Sequence, residues 1–248
     1  MRFNIESIYN DFIGRRNDVN YLNRYLGNEH WYNASSSGGC SRKLYYKSID
    51  KLPSDMENKM DSNRTLRLGT IMHNDIQRAL MEMTPEEQLV HNIESISVEG
   101  ELMLESLNVR GFYDIVIVMT DGSVHLVDIK SMGSFPWQKR FGIKRNRQPS
   151  NGRYEMQLGI YGQALKEKYG RIDSLALWFW NKDKSQVREE MVPLSWIEKS
   201  VAWWKDLSKQ HKAGLPPFRM GVSPVESWEC NYCPFKETCQ PPQYPFNK

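Results

Sequence analysis

The chain has 248 residues, 33 Lys and Arg against 30 Asp and Glu, a net charge of +3, a composition 40% hydrophobic and 25% charged, and four cysteines. This composition supports a globular core without covalent help, excludes disordered and collagen-like chains, and contains no apolar run near the roughly 18 residues a spanning helix needs. Glu6 stands where a signal peptide would have its apolar stretch, so the expected compartment is the cytoplasm, and near-neutral charge means that a nucleic-acid partner would be met only by a local basic patch of this chain.

In chain order, Ile5, Ile8, Phe12, Val19, Leu22, Tyr25 and Leu26 recur at helical spacing and predict one or two amphipathic helices, broken at Ser35–Gly39. A short helix is expected around Ser41–Lys47 and a longer one around Ser62–Met83, with Pro85 beyond its end. The period then changes, and Ile93–Val98, Glu101–Ser106, Val109–Met119 and Val124–Lys130 predict strands, the last two joined through Thr120-Asp121-Gly122. Ser134–Asn151 reads as a long polar loop, which in a compact domain points to function. Ser150 or Asn151 is placed to cap a helix over Arg153–Tyr169 that Gly170 closes. Ser174–Trp180 and Val187–Val192 predict two further strands, Ser195–Gly214 a helix, and seven prolines from Pro216 onward an irregular tail.

The sharpest local signal is Val127-Asp128-Ile129-Lys130 at a strand end, with Gly111-Phe112-Tyr113-Asp114 on its hairpin partner. Residues two apart on a strand face the same side, so Asp128 and Lys130 project together while the Ile129 carbonyl stays near them. If the hairpin brings Asp114 alongside, two carboxylates suited to Mg²⁺ or Mn²⁺ and one cation share a site that can lower the pKa of a water and neutralise a phosphodiester. An Asp-x-Lys pair is otherwise an ion pair on a solvated face. Upstream, Gly69-Thr70-Ile71-Met72-His73 offers an imidazole from a helix, which makes Mn²⁺ plausible beside Mg²⁺. Downstream, Gln157 and Tyr161 share one helix face at i and i+4.

These four elements, in this order, resemble the PD-(D/E)xK nuclease superfamily, and specifically its RecB-type branch with Gly-x-x-x-His, Gly-x-x-Asp, Asp/Glu-x-Lys and Gln-x-x-x-Tyr motifs. The resemblance implies that His73, Asp114, Asp128 and the Ile129 carbonyl hold one or two divalent metals. It further implies that Lys130 positions the attacking water and stabilises developing charge, while Gln157 and Tyr161 brace the site. Asp128 departs from close relatives that often carry Glu there, and its side chain is one methylene shorter.

Cys230, Cys233 and Cys239 cluster in the tail while Cys40 lies far upstream. Four such thiols can hold Zn²⁺ or an iron-sulfur cluster, and the spacing alone does not separate these or exclude reduced or disulfide-paired cysteines. Cys40-Ser41-Arg42-Lys43-Leu44-Tyr45-Tyr46 with a terminal Cys-x-x-Cys-x5-Cys resembles the CRISPR-associated RecB-like exonuclease family. That resemblance implies a 4Fe-4S cluster on all four cysteines, stapling the two ends of the chain, with structural Zn²⁺ as the alternative.

From Ser131 to Tyr154 there is no acidic residue, while Lys139, Arg140, Lys144, Arg145, Arg147 and Arg153 supply six cations beside Phe135, Trp137 and Phe141. Cations neutralise phosphates and aromatic faces stack unpaired bases, so this segment is expected to line a single-stranded DNA path, with Trp137 and the six cations as contacts. A solvated loop with apolar anchors is the plainer alternative. Trp178, Trp180, Trp196, Trp203 and Trp204 sit at packing positions.

The expectation is therefore an α/β chain with a mixed central sheet flanked by helices and an iron-sulfur cap joining its ends. It reads as a single nuclease domain over 1–248, with a catalytic core over about 62–192 and a cap built from about 1–61 and 193–248. The expected function is metal-dependent exonucleolytic cleavage of single-stranded DNA, with 5′ to 3′ polarity implied only by the resemblance. The alternatives are a DNA-end binding and trimming partner of an integrase in CRISPR adaptation, a noncatalytic DNA-binding scaffold, or an RNase.

Overall fold

Helical periodicity dominates up to about residue 90 and alternation begins at Ile93, and the structure divides at the same point. It is a computed structural model that describes residues 4–25, 32–49, 60–143, 150–214, 230 and 233–239. Ahead of the large strands come α1 (Ile5–Tyr25), β1 (Tyr32–Asn33), α2 (Ser41–Ser48), α3 (Met60–Met81) and α4 (Pro85–Val90). Pro85 begins a helix instead of merely following one. The Thr84 hydroxyl accepts the Glu87 amide at 3.3 Å, and the Glu87 carboxylate accepts the Thr84 amide at 2.8 Å, so proline's missing N–H falls where no partner was needed.

β2 (Ile93–Leu104) is one long strand where alternation predicted two, and it pairs antiparallel with β3 (Val109–Met119). β4 (Val124–Met132) pairs antiparallel with the far half of β3. After β4 the chain forms α5 (Ser134–Phe141) and α6 (Arg153–Tyr169), a crossover that brings β5 (Ser174–Asn181) back parallel to β4. β6 (Gln186–Val192) closes the sheet antiparallel to β5, and β1 runs parallel to the start of β3. The result is a mixed six-stranded sheet flanked by helices.

The polar loop expected at 134–151 is therefore a helix over its first half. Asp183 Oδ2 accepts the Ser134 amide at 2.6 Å, and Pro136 falls in the first turn, where it is tolerated. Trp137 and Phe141 fasten α5 to Phe179 of β5, with ring centroids 4.6 Å apart between the first two and 5.1 Å between the last two.

Leu158 and Leu165 of α6 lie fully buried over Leu126 of β4 and Leu175 and Leu177 of β5. α7 (Ser195–Lys212) covers α6 from outside with Trp204 and Leu207. The two helices meet at Gly159, where a Cβ would lie 2.3 Å from the Trp196 carbonyl oxygen; only glycine admits that approach. Across the sheet, a Cβ at Gly69 of α3 would lie 3.0 Å from the Ser131 hydroxyl of β4. Among the described residues, no helix is long and apolar enough to cross a membrane.

Candidate active site

The β3–β4 ladder runs from Val118↔Val124 to Ile115↔Val127 and then stops. The next rung would pair Asp114 with Asp128. Instead the strands part, and Asp114 Oδ2 accepts the Ile129 amide at 2.6 Å. The expected hairpin register thus places both carboxylates at one opening in the sheet. Ile129 turns its N–H toward β3, and in an extended strand its carbonyl shares that side.

Asp128 is 1% exposed. Its Oδ2 lies 2.6 Å from Lys130 Nζ as an ion pair, and that oxygen's second lone pair remains for another electrophile. From α6, Gln157 Oε1 accepts Lys130 Nζ at 3.1 Å, and Gln157 Nε2 donates to Asp128 Oδ1 at 3.4 Å and to the Tyr161 hydroxyl at 3.3 Å. The Tyr161 ring fills the space over Gly111, where a Cβ would come within 2.6 Å of it. This is the physical reason for glycine three residues before Asp114. Tyr154 adds a face that sequence reasoning passed over: Lys130 Nζ sits 5.2 Å from its ring centroid.

His73 reaches the opening from α3, with Nδ1 3.5 Å from Asp114 Oδ1. A further residue arrives that the sequence reading missed. Glu99 lies in β2 between the Val98↔Ile115 and Gly100↔Tyr113 pairs, across from Asp114, and has a left-handed backbone with φ of 50°. One ligand atom from each of His73, Glu99 and Asp114 lies within 4.8 Å of the others. Gln77, 5% exposed and one helical turn beyond His73, donates to Glu99 Oε1 at 2.8 Å and to the Asp114 carbonyl at 3.2 Å. A carboxylate inside an alternating strand looks like an ordinary solvent-facing residue, so no sequence signal singled out Glu99.

Burial pushes the Asp128 carboxyl up to about 6, against the pull of Lys130 beside it. Burial would lower Lys130, but the charges of Asp128 and Asp114 outweigh it and hold the ammonium above its ordinary range. His73 is likewise raised, because Asp114 overcomes its desolvation. Burial raises the Tyr161 phenol, which stays neutral. Oxygen donors, an imidazole and a carboxylate lone pair form a set suited to a divalent cation.

The basic segment differs from expectation. Trp137 is 8% exposed and packed in the core, so its ring faces are closed to a base. Arg140 is committed internally: its guanidinium lies 2.7 Å from both Glu155 and Glu190 and 4.5 Å from the Phe179 ring centroid. Arg153 is half-buried at the start of α6, its stem beside Gly38. Lys144, Arg145 and Arg147 lie outside the described residues. Ser150 and Asn151 accept the Gly152 and Arg153 amides, while Gly152 itself, with φ of 77°, opens α6.

Cys40 precedes α2, and its sulfur is met by the Arg42 and Lys43 amides, although burial still raises the thiol. Cys230 and Cys233 lie close enough to add to that rise. Cys233 and Cys239 pack against a small cluster of Tyr45, Tyr46 and Phe235 that joins the tail to α2. All four cysteines are half-buried thiols.

A parted pair of strands carries two carboxylates and a lysine, with a histidine from one side of the sheet and a Gln–Tyr pair from the other. The chain belongs to the PD-(D/E)XK nuclease superfamily, whose family profile matches residues 75–240, as the motifs implied. Among solved structures, the chain is similar to the crystal structure of SSO0001, at 18% identity and a TM-score of 0.58 over 95% of this chain and 98% of that one. It is also similar to an alkaline exonuclease, LHK-Exo, from Laribacter hongkongensis, at 12% identity and a TM-score of 0.37 over 76% of this chain and 93% of that one. The first likeness extends the fold over nearly the whole chain. No curated protein sequence matches it.

Proposed function

We propose that the protein is a divalent-metal-dependent exodeoxyribonuclease acting on single-stranded DNA. The observation that carries this reading is the placement of Lys130 Nζ, 2.6 Å from Asp128 Oδ2 and 3.1 Å from Gln157 Oε1, at the opening beside Asp114. His73, Asp114, Asp128 and the Ile129 carbonyl would hold Mg²⁺ or Mn²⁺, with Glu99 as an additional oxygen ligand. Such an ion, when bound, lowers the pKa of a coordinated water and neutralises the phosphate under attack.

Lys130 has three N–H donors, and Asp128 and Gln157 occupy two directions. The third serves the attacking water or a phosphate oxygen and opposes the charge that develops there. Gln157 fixes Asp128 and Lys130 relative to each other, Tyr161 fixes Gln157, and Tyr154 keeps an aromatic face toward the lysine ammonium. Exonucleolytic action and 5′ to 3′ polarity follow from the resemblance carried by the four cysteines.

For those cysteines the reading is a 4Fe-4S cluster with a structural role, supported by amides directed at Cys40 and by the aromatic contacts that bring the tail to α2. Protein purified anaerobically should be brown and contain iron and sulfide; a colourless protein with one zinc would establish the alternative. For the activity, end-labelled single-stranded DNA, duplex and RNA are incubated with Mg²⁺, Mn²⁺ or EDTA. Stepwise shortening of single-stranded DNA that EDTA abolishes is the expected ladder, and cleavage surviving chelation would overturn the reading.

A further inference from the structure

Of the three aromatic residues in α5, which follows Lys130 closely, two are consumed by packing. Trp137 and Phe141 anchor α5 to Phe179. Phe135 turns the other way and is 72% exposed. An isolated exposed phenylalanine is ordinary on a protein surface, but this one is built into a particular setting. Lys139, one helical turn on, holds its ammonium 4.7 Å from the Phe135 centroid, which leaves the rest of the ring open and a cation beside it. No residue of α5 is acidic.

The helix is also rigidly held. Asp183 grips its first amide, Trp137 its middle, and Arg140 its last turn through Glu155 and Glu190. Arg140 and Lys130 both lie against the Tyr154 ring, at 5.9 Å and 5.2 Å from its centroid, so the end of α5 abuts the catalytic lysine. Phe135 lies five steps beyond Lys130 along the chain, a reach of at most about 17 Å. A nucleotide close to the scissile phosphate falls within that distance.

We propose that Phe135 and Lys139 form a stacking site for one unpaired base of single-stranded DNA, with Phe135 covering the base and Lys139 meeting its phosphate. The proposal rests on the nuclease reading above and assigns to Phe135 the role that sequence reasoning gave to Trp137. Because α5 is pinned at both ends, the platform exists before DNA arrives, and little conformational freedom is lost on binding.

The test measures binding of a fluorescent single-stranded oligonucleotide in EDTA, and KM and kcat with metal, for the wild type and for Phe135→Leu, Phe135→Trp and Lys139→Ala. Phe135→Leu is expected to raise Kd and KM at least about fivefold, more than it lowers kcat, and Phe135→Trp to restore them. Lys139→Ala is expected to reduce the salt dependence of binding by about one unit of slope. A set of oligonucleotides with one abasic position each should show, in the wild type, a single position whose missing base weakens binding; in Phe135→Leu that position should cease to matter. Identical abasic profiles in the two proteins, with cleavage intact in both, would overturn the stacking site and leave the nuclease reading standing. A wild-type protein that neither binds nor cuts DNA would overturn both.

Discussion

Asp114 Oδ2 accepts the Ile129 amide at 2.6 Å at the rung where β3 and β4 cease to pair, so a side chain completes the ladder that the backbone leaves open. One carboxylate oxygen thereby serves the fold and the other faces His73. Asp114→Asn keeps an acceptor for Ile129 but removes the charge. It should unfold within a few degrees of the wild type while Mn²⁺ affinity, followed by calorimetry, drops at least about tenfold. Asp114→Ala leaves the buried amide without its partner and should also cost about 1–3 kcal/mol in stability.

Lys130→Met should abolish cleavage, and its effect on stability should depend on pH. Removing the cation raises the Asp128 carboxyl further, so the ionised form is destabilised by about 3–5 kcal/mol and the loss shrinks on acidification as Asp128 takes up a proton. Thermal unfolding of the variant and the wild type at pH 5 and pH 7.5 measures the difference.

The wild-type protein without metal should carry a related signature. Asp128 titrates near 6 when folded, above the ordinary 3.8, so the folded state binds this proton more tightly than the unfolded chain. The stability this provides is complete below about pH 4 and lost as pH rises through about 6, an amount on the order of 3 kcal/mol. In Asp128→Asn that slope should vanish from denaturant titrations in EDTA. Affinity for a divalent ion runs the other way and should rise across the same interval, since the ligand must be ionised.

Arg140 and Lys139 are neighbours in sequence with opposite expected phenotypes. Arg140→Ala leaves Glu155 and Glu190 without their shared guanidinium and should destabilise the fold by about 3 kcal/mol. Lys139→Ala should change stability by less than about 0.5 kcal/mol. Trp137→Ala, which empties a core position, should cost about 3–5 kcal/mol. Chemical denaturation of the three variants orders them.

Gly111→Ala places a methyl group against the Tyr161 ring. Tyr161 must shift, and Gln157 loses the hydroxyl that steadies it. A stability loss of about 1–3 kcal/mol is expected, together with a fall of about tenfold in kcat, since small displacements of a positioning group are costly. The equivalent loss of stability without a loss of rate would show that Tyr161 acts only in packing.

Most of the strand positions were readable because alternation is a local property, and the Asp-x-Lys and Gly-x-x-Asp segments drew together because the two strands of a hairpin can meet in few ways. Spacing placed His73, Gln157 and Tyr161 on helices, and only the family resemblance gave them roles at the site. What escaped was decided by contacts remote in sequence. Glu99 becomes notable only because Gln77 and Asp114 come to it, and Trp137 and Arg140 look like nucleic-acid contacts until Phe179, Glu155 and Glu190 are seen around them. α5 was hidden by its polar content and by a proline whose early position makes it harmless.

Gln157 and Tyr161 stand on the side of α6 opposite Gly159, since two residues on a helix correspond to about 200° of rotation. Gly159 rests against the Trp196 backbone with no room for even a methyl group. The seam with α7 therefore works as a spacer of fixed thickness, setting how far the Gln–Tyr pair projects toward the strands. Substrate need never touch α7 for α7 to set where the Gln–Tyr pair stands.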